Sequence, residues 1–467
     1  MWLNNLLEFV GSKGRAEASH PVIEELKDLI ENDPIIYMLI HQMFNEIPNR
    51  PPFDRDPNGN PQVRDYFTML RCFNEIMTSG PEYRKGLSLV ANPISAILNW
   101  PIGTPSGAAA FMNEKLNAQI GKMLKEWAKF LSSPESRYVL TDNPDGGWFS
   151  PTALAEKQLN NFDKIFKCQP SEPYHGFKSW DDFFTRELQD GARPIGAPDD
   201  DRFIVNACES APYSLRRNSQ EWDLFWIKSQ PYSIKHMLAG DSFAPLFAEG
   251  TVYQGFLDAL SYHRWHSPVS GRVVKAYILP GTYYSQPSAA GFDEAAPNES
   301  QRYLTEVATR AILFIEADNP DIGLMCFMAV GMGEVSSCDI RVHMGQHVEK
   351  GEQMGMFHYG GSTHCLIFRK GVDLEFNLPC EPGLGASIIP VNRAFAFVPS
   401  RDRNAKLSFA PRKLRLSLLR GGMSKSIFSS SNFSSRICIL VVGIAFISFL
   451  GVSKFCSNFL SFQVGGL

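Results

Sequence analysis

The sequence predicts an α+β protein, with a helical N-terminal domain followed by a mixed, mainly β domain that carries the chemistry. Two textures along the chain point to it. Up to about residue 150, apolar residues recur at steps of three and four; from about Phe203, short runs rich in Val, Ile, Phe and Tyr alternate with Gly and Pro. At 467 residues, with 44% apolar and 20% charged side chains, the chain exceeds one ordinary domain and has ample material for a core.

The helical elements follow from their periodicity and their ends. Pro21 to Asn32 (PVIEELKDLIEN) repeats apolar residues at helical spacing, opens on a proline suited to a first turn and stops at Asp33-Pro34. Gln62 to Met77 is a second amphipathic segment. Phe111 to Leu131 is the clearest, with Leu116, Ile120, Leu124, Trp127 and Leu131 on one face, a stripe read as core packing. Asn143-Pro144-Asp145-Gly146-Gly147 is a turn cluster and marks a boundary.

The β elements are read at Phe203–Val205, Gly250–Phe256, Arg272–Leu279, Arg310–Glu316, Leu324–Val330 and Ala386–Ile389. Glycines 345, 351 and 355 around Val348 and Phe357 predict a tight hairpin feeding a strand, similar to lipoyl-type β-barrels. No internal repeat is present.

Composition excludes several functions. A net charge of −4 gives no basic excess for neutralising phosphates, so no nucleic acid partner is expected. Nine cysteines stand singly, none with CxxC spacing, which predicts reduced thiols in a cytoplasmic protein. The first residues lack a basic leader with a long apolar core, so no signal peptide is expected. Near the other end, basic residues from Arg412 to Arg436 precede an uncharged run of 17 residues, Ile437 to Ser453. A spanning helix needs roughly 20 apolar residues. The run 437–453 therefore stays open between a membrane contact, a free hydrophobic tail and a segment foreign to the natural protein.

The segment Tyr359-Gly360-Gly361-Ser362-Thr363 carries the candidate chemistry. Taking CO2 from an amino acid leaves electrons on the α-carbon, and no ordinary side chain accepts them; a carbonyl must act as the electron sink. No phosphate-cradling glycine loop with a suitable lysine suggests pyridoxal phosphate. A serine after two glycines sits on backbone that adopts tight turns. Attack of its hydroxyl on the Gly361 carbonyl, then elimination and hydrolysis, would leave a pyruvoyl group at residue 362 and a carboxylate on Gly361. Alone, such a serine is most often an inert loop residue. Alone, too, His263-x-x-His266 is a surface turn or a metal pair, and Arg264 is a carboxylate ligand or a structural ion pair. His343 and His347 lack a further ligand at zinc spacing, so no metal is expected.

Three blocks, in order, resemble the phosphatidylserine decarboxylase family: FKSWDDFFTRELQDGARPI from Phe177 to Ile195, YHRWHSPVSG from Tyr262 to Gly271, and GEQMGMFHYGGST from Gly351 to Thr363. The resemblance spans residues 174 to about 396 and is nearest to the fungal branch that includes L-tryptophan decarboxylases. It implies domains at 1–150 (helical), 151–396 (catalytic) and 397–467 (basic, then apolar tail). It implies cleavage between Gly361 and Ser362, a covalent pyruvoyl cofactor made from Ser362, and assembled fragments 1–361 and 362–467. It implies that His266 is the base on the cleavage serine and that His263 handles the proton at the substrate carbon. The family's aspartate, in a Pro-Ala-Asp-Gly turn, is replaced by Glu209 in Asn206-Ala207-Cys208-Glu209-Ser210, one methylene further from the backbone. The expected substrate is a free aromatic amino acid, tryptophan first. The alternatives are phosphatidylserine, giving phosphatidylethanolamine in phospholipid biosynthesis, and a β-barrel binding protein that never cleaves.

Overall fold

The computed structural model describes residues 2–12, 19–86, 92–223, 232–294, 297–335, 337–359 and 362–399. The apolar run 437–453 and Gly361 lie outside the described residues.

Among the described residues seven helices come first: α1 (Trp2–Ser12), α2 (Pro21–Asn32), α3 (Pro34–Asn45), α4 (Tyr66–Ile76), α5 (Pro93–Ile102), α6 (Pro105–Ala110) and α7 (Glu114–Leu131). Helix α2 has the predicted bounds and buries Val22, Ile23, Leu26 and Ile30. Asp33 ends it, and its carboxylate then accepts from the backbone N–H of Ile35 and Ile36, starting α3 behind Pro34. The expected stop is thus a break between two helices. The third predicted segment starts at Glu114, because the Asn113 side chain caps the N–H groups of Lys115 and Leu116. Asp65 likewise caps α4 at the N–H of Thr68.

Thirteen strands follow among the described residues, with short helices between them. They are β1 (Phe203–Val205), β2 (Ala211–Ser219), β3 (Gly250–Leu257), β4 (Arg264–His266), β5 (Gly271–Leu279), β6 (Arg310–Ala317), β7 (Leu324–Gly331), β8 (Ser337–Ile340), β9 (His347–Val348), β10 (Gln353–His358), β11 (Ser362–Phe368), β12 (Glu375–Phe376) and β13 (Ala394–Phe397). A seven-stranded antiparallel sheet has the order β2-β3-β11-β7-β6-β5-β9; two three-stranded sheets have the orders β4-β10-β8 and β1-β13-β12. The lipoyl-like barrel expected from the sequence is not found: none of these three sheets closes among the described residues. The predicted 345–357 hairpin is also corrected. Strand β9 pairs with β5 and β10 pairs with β4 and β8, so the two arms join different sheets. Residues 386–389 form no strand beyond a single bridge from Ile389 to Ser210.

Strand β11 lies inside the large sheet, with Ser362 opposite Leu257 of β3 and Gly331 of β7. All seven of its residues are buried, the polar Ser362, Thr363 and His364 among them. Its side chains still alternate: Leu366 and Phe368 join a core with Trp265 and Phe327, and Cys365 and Ile367 join one with Phe247 and Phe314. Ser362 and His364 share the face of Leu366. The helical part and the catalytic part meet in one core, where Trp127 of α7 and Tyr359 sit together.

Candidate functional site

Ser362 begins β11, fully buried, and its hydroxyl has no hydrogen-bond partner among the described residues. A buried hydroxyl normally finds a partner, so this orphan calls for an explanation. The next residue is locked in place: Thr363 Oγ1 donates to the Gly255 carbonyl at 3.0 Å and accepts from Gln254 Nε2 at 3.0 Å. The far end of the Gln254 amide accepts from the Tyr232 hydroxyl at 2.6 Å.

The YHRWH block is held by its own set of contacts. Arg186, buried over the Phe166 ring at 4.4 Å, donates to the carbonyls of Leu260 and Ser261 and so fixes the approach to Tyr262. Within the block, His266 Nδ1 lies 2.7 Å from the Gly351 carbonyl and Nε2 lies 2.8 Å from the Tyr262 hydroxyl. A carbonyl only accepts, so the proton sits on Nδ1 and Nε2 accepts from tyrosine. Burial pushes this imidazole below its usual range, outweighing the pull of the Gly351 carbonyl and the Glu209 charge. The ring is a neutral base facing Tyr262.

His263 is fully buried and stacks on Phe184, with ring centroids 4.1 Å apart. Its carbonyl accepts from the N–H of Phe357, tying the block to the strand that leads to Ser362. Arg264 is spent on structure: Nε donates to the Thr185 carbonyl at 2.7 Å and Nη1 to Gln353 Oε1 at 3.0 Å.

Glu209 is nearly buried and held by Arg193 in a two-pronged pair, Nε to Oε2 at 2.8 Å and Nη2 to Oε1 at 2.5 Å. No hydrogen bond joins it to His266; it acts on that ring through its charge. The backbone is closer than the side chain, since the His266 N–H donates to the Ala207 carbonyl at 2.8 Å. Burial pushes the neighbouring Cys208 thiol well above its usual range, so it stays protonated and inert.

Sequence reasoning passed over three residues here. Arg193 was visible in the GARPI block but carried no assigned partner. Tyr262 was visible in YHRWH. His364 drew no reading from the sequence, yet it is fully buried on the Ser362 face. Gly255 makes room for it, because a Cβ there would stand 2.6 Å from His364 Cε1. Burial pushes the His364 imidazole down to about 3, against a small opposing contribution from the Gly255 carbonyl.

The other histidine pair is separate from this centre. His347 Nε2 meets Asp318 at 2.8 Å on the surface, and His343 Nδ1 lies 3.2 Å from the Met344 carbonyl. Among the described residues no group of three or more His, Cys, Asp or Glu side chains is placed to hold a metal ion. Nor is any helix there long and apolar enough to cross a membrane.

Comparison with known proteins shows the family. Two family models, both described as phosphatidylserine decarboxylase, match residues 20–157 and 180–383. Similarity extends to an L-tryptophan decarboxylase of Psilocybe cubensis, 37% identical over 80% of this chain and 85% of that protein. A second, from Psilocybe cyanescens, is 40% identical over 74% of this chain and 80% of its own. Decarboxylase iboD of Amanita muscaria (strain Koide BX008) is 44% identical over 59% of this chain and 83% of its own. The chain is a decarboxylase, a carboxy-lyase. It belongs to the phosphatidylserine decarboxylase family.

Proposed function

We propose that this enzyme cleaves itself between Gly361 and Ser362 and then decarboxylates a free aromatic amino acid, tryptophan to tryptamine, through a pyruvoyl group derived from Ser362. The observation that carries the cleavage is the orphaned, fully buried hydroxyl of Ser362 at the head of a central strand. The substrate reading rests on the two similar L-tryptophan decarboxylases, each matched over most of its length.

In the cleavage, Ser362 Oγ attacks the Gly361 carbonyl carbon and displaces the Ser362 nitrogen, giving an ester. Elimination releases Gly361 as a carboxylate, and hydrolysis of the new chain end releases ammonia and leaves the pyruvoyl group. His266, neutral in its buried setting, takes the serine proton; the Glu209 carboxylate, fixed by Arg193, stabilises the imidazolium that results. Once formed, the pyruvoyl group supplies the carbonyl that accepts the electron pair left by CO2. His263, held flat against Phe184, returns a proton to the substrate carbon. The fragments 1–361 and 362–467 stay together because β11 keeps its pairing with β3 and β7. A cytoplasmic setting belongs to the same reading.

A second reading, phosphatidylserine as substrate, has one observation in its favour: both matching family models bear that description. Mass spectrometry of purified protein decides the cleavage, and CO2 release from tryptophan, phenylalanine, tyrosine and phosphatidylserine vesicles decides the substrate. Tryptophan should be turned over without added pyridoxal phosphate. An intact chain with serine at 362 in active protein would overturn the cleavage, and turnover of vesicles alone would overturn the substrate.

A further inference from the structure

The chain leaves β10 at His358 and enters β11 at Ser362, and these strands belong to different sheets. Only three residues make the crossing, and the first of them, Tyr359, has φ +61°. A bulky side chain at positive φ is rare because its Cβ crowds the backbone. Such a residue persists when its surroundings fix it, and such positions cluster where strain serves the mechanism.

The surroundings here are a clamp of aromatic rings. Tyr359 is 4% exposed. Trp127 stands edge-on to it with centroids 4.7 Å apart at 87°, Phe184 lies 5.8 Å away and Trp180 6.1 Å away. Trp127 is itself fixed, since its indole N–H donates to the Ser79 carbonyl at 2.9 Å. Trp180 packs on Trp148 at 4.5 Å. Phe184 is the ring on which His263 stacks. The Trp127 jaw comes from α7 in the helical part, and the others from the segment that opens the catalytic part.

We infer that Tyr359 is a positioning residue for self-cleavage: its ring, gripped by Trp127 of the helical part, holds the backbone in the left-handed region and so aims the chain into the Ser362 strand. The helical part thereby acts on the chemistry without touching the reacting atoms. Reaction geometry is demanding, and small misplacements of a reacting group cost large factors in rate. A loosened clamp lets residue 359 relax to an ordinary conformation and turns the entering chain away from the hydroxyl.

This inference rests on the self-cleavage reading, and the wild-type chain is tested first for that reason. The intact chain is followed on gels and by mass after synthesis in vitro, and kcat and KM for tryptophan are measured on the cleaved fraction alone. W127A and Y359N, the latter tolerating left-handed backbone but lacking the ring, should each slow cleavage by about tenfold or more. W127F and Y359F, which keep the edge contact, should cleave at nearly the wild-type rate. Molecules of W127A that do mature should turn over with nearly the wild-type kcat, a split that general destabilisation would not give. Cleavage of both W127A and Y359N at the wild-type rate would overturn the inference, as would equal losses in cleavage and in kcat. If W127A does not fold, Y359N decides by the same criteria. A wild-type chain that never cleaves overturns the parent reading and this one with it.

Discussion

The hydroxyl of Tyr262 and Nε2 of His266 stand 2.8 Å apart, four residues apart in one short block, with the Gly351 carbonyl holding the opposite ring nitrogen. This pairing sets the tautomer and leaves the basic nitrogen facing a phenol. Tyr262→Phe leaves that buried nitrogen without its donor, a loss of roughly 1–3 kcal/mol. Cleavage should slow by about tenfold, read as the half-life of the intact chain. Faster cleavage in the variant would mean that Tyr262 merely competes with Ser362 for the ring.

The two histidines of the block should separate by role. His266→Ala should leave the chain intact, because it removes the proposed base on the serine. His263→Ala should still permit cleavage, while decarboxylation falls by roughly 10²–10⁴-fold, the usual weight of one general acid or base. Gels read the first effect and CO2 release the second. Normal cleavage and turnover in both variants would remove both assignments.

The Arg193–Glu209 pair predicts a stability effect. Both side chains are largely buried, 17% and 9% exposed, and the contact is two-pronged. Arg193→Ala strands a buried carboxylate and should cost about 3–5 kcal/mol in urea unfolding. Arg193→Lys restores charge but not the fork and should recover only part of it. A loss under about 1 kcal/mol for Arg193→Ala would place the pair with exposed, weakly contributing ones.

His364 should govern the acid limb of stability. Its folded value lies near 3 and its unfolded value near 6.5, so between those pH values the unfolded chain binds one more proton. This contribution is therefore complete above about pH 6.5 and declines as pH falls towards 3, by up to about 1.4 kcal/mol per pH unit. His266, also depressed by burial, adds in the same direction. Urea unfolding at several pH values should show a shallower acid limb for His364→Leu than for wild type. Equal slopes would mean that the ring is not buried in its neutral form.

The family match ends at residue 383, well before the apolar run at 437–453. A chain ending at Lys413 should cleave itself and decarboxylate tryptophan, while its partition onto vesicles changes. Loss of tryptophan turnover in that chain, with activity of the full chain on phosphatidylserine vesicles, would favour the lipid substrate.

Local sequence was enough for whatever depends on neighbours in the chain. Helices α2, α4 and α7 and most long strands were legible, because a buried face repeats every 3.6 or 2 residues. Helix α3 was not, since Asp33-Pro34 reads equally as a stop and as a cap with a first-turn proline. The blocks that show the family were legible because each is a contiguous string. Partnerships across the fold were not. Arg193 with Glu209, Trp127 with Tyr359 and the parting of β9 from β10 join residues whose proximity no local pattern encodes. His364 shows the limit most plainly: its two-residue spacing from Ser362 is local, but its complete burial is decided by the cores that pack on both faces of β11. Sequence determined which groups are present and in what local geometry. Tertiary structure decided which of them meet, because long-range contacts are chosen by how whole faces pack.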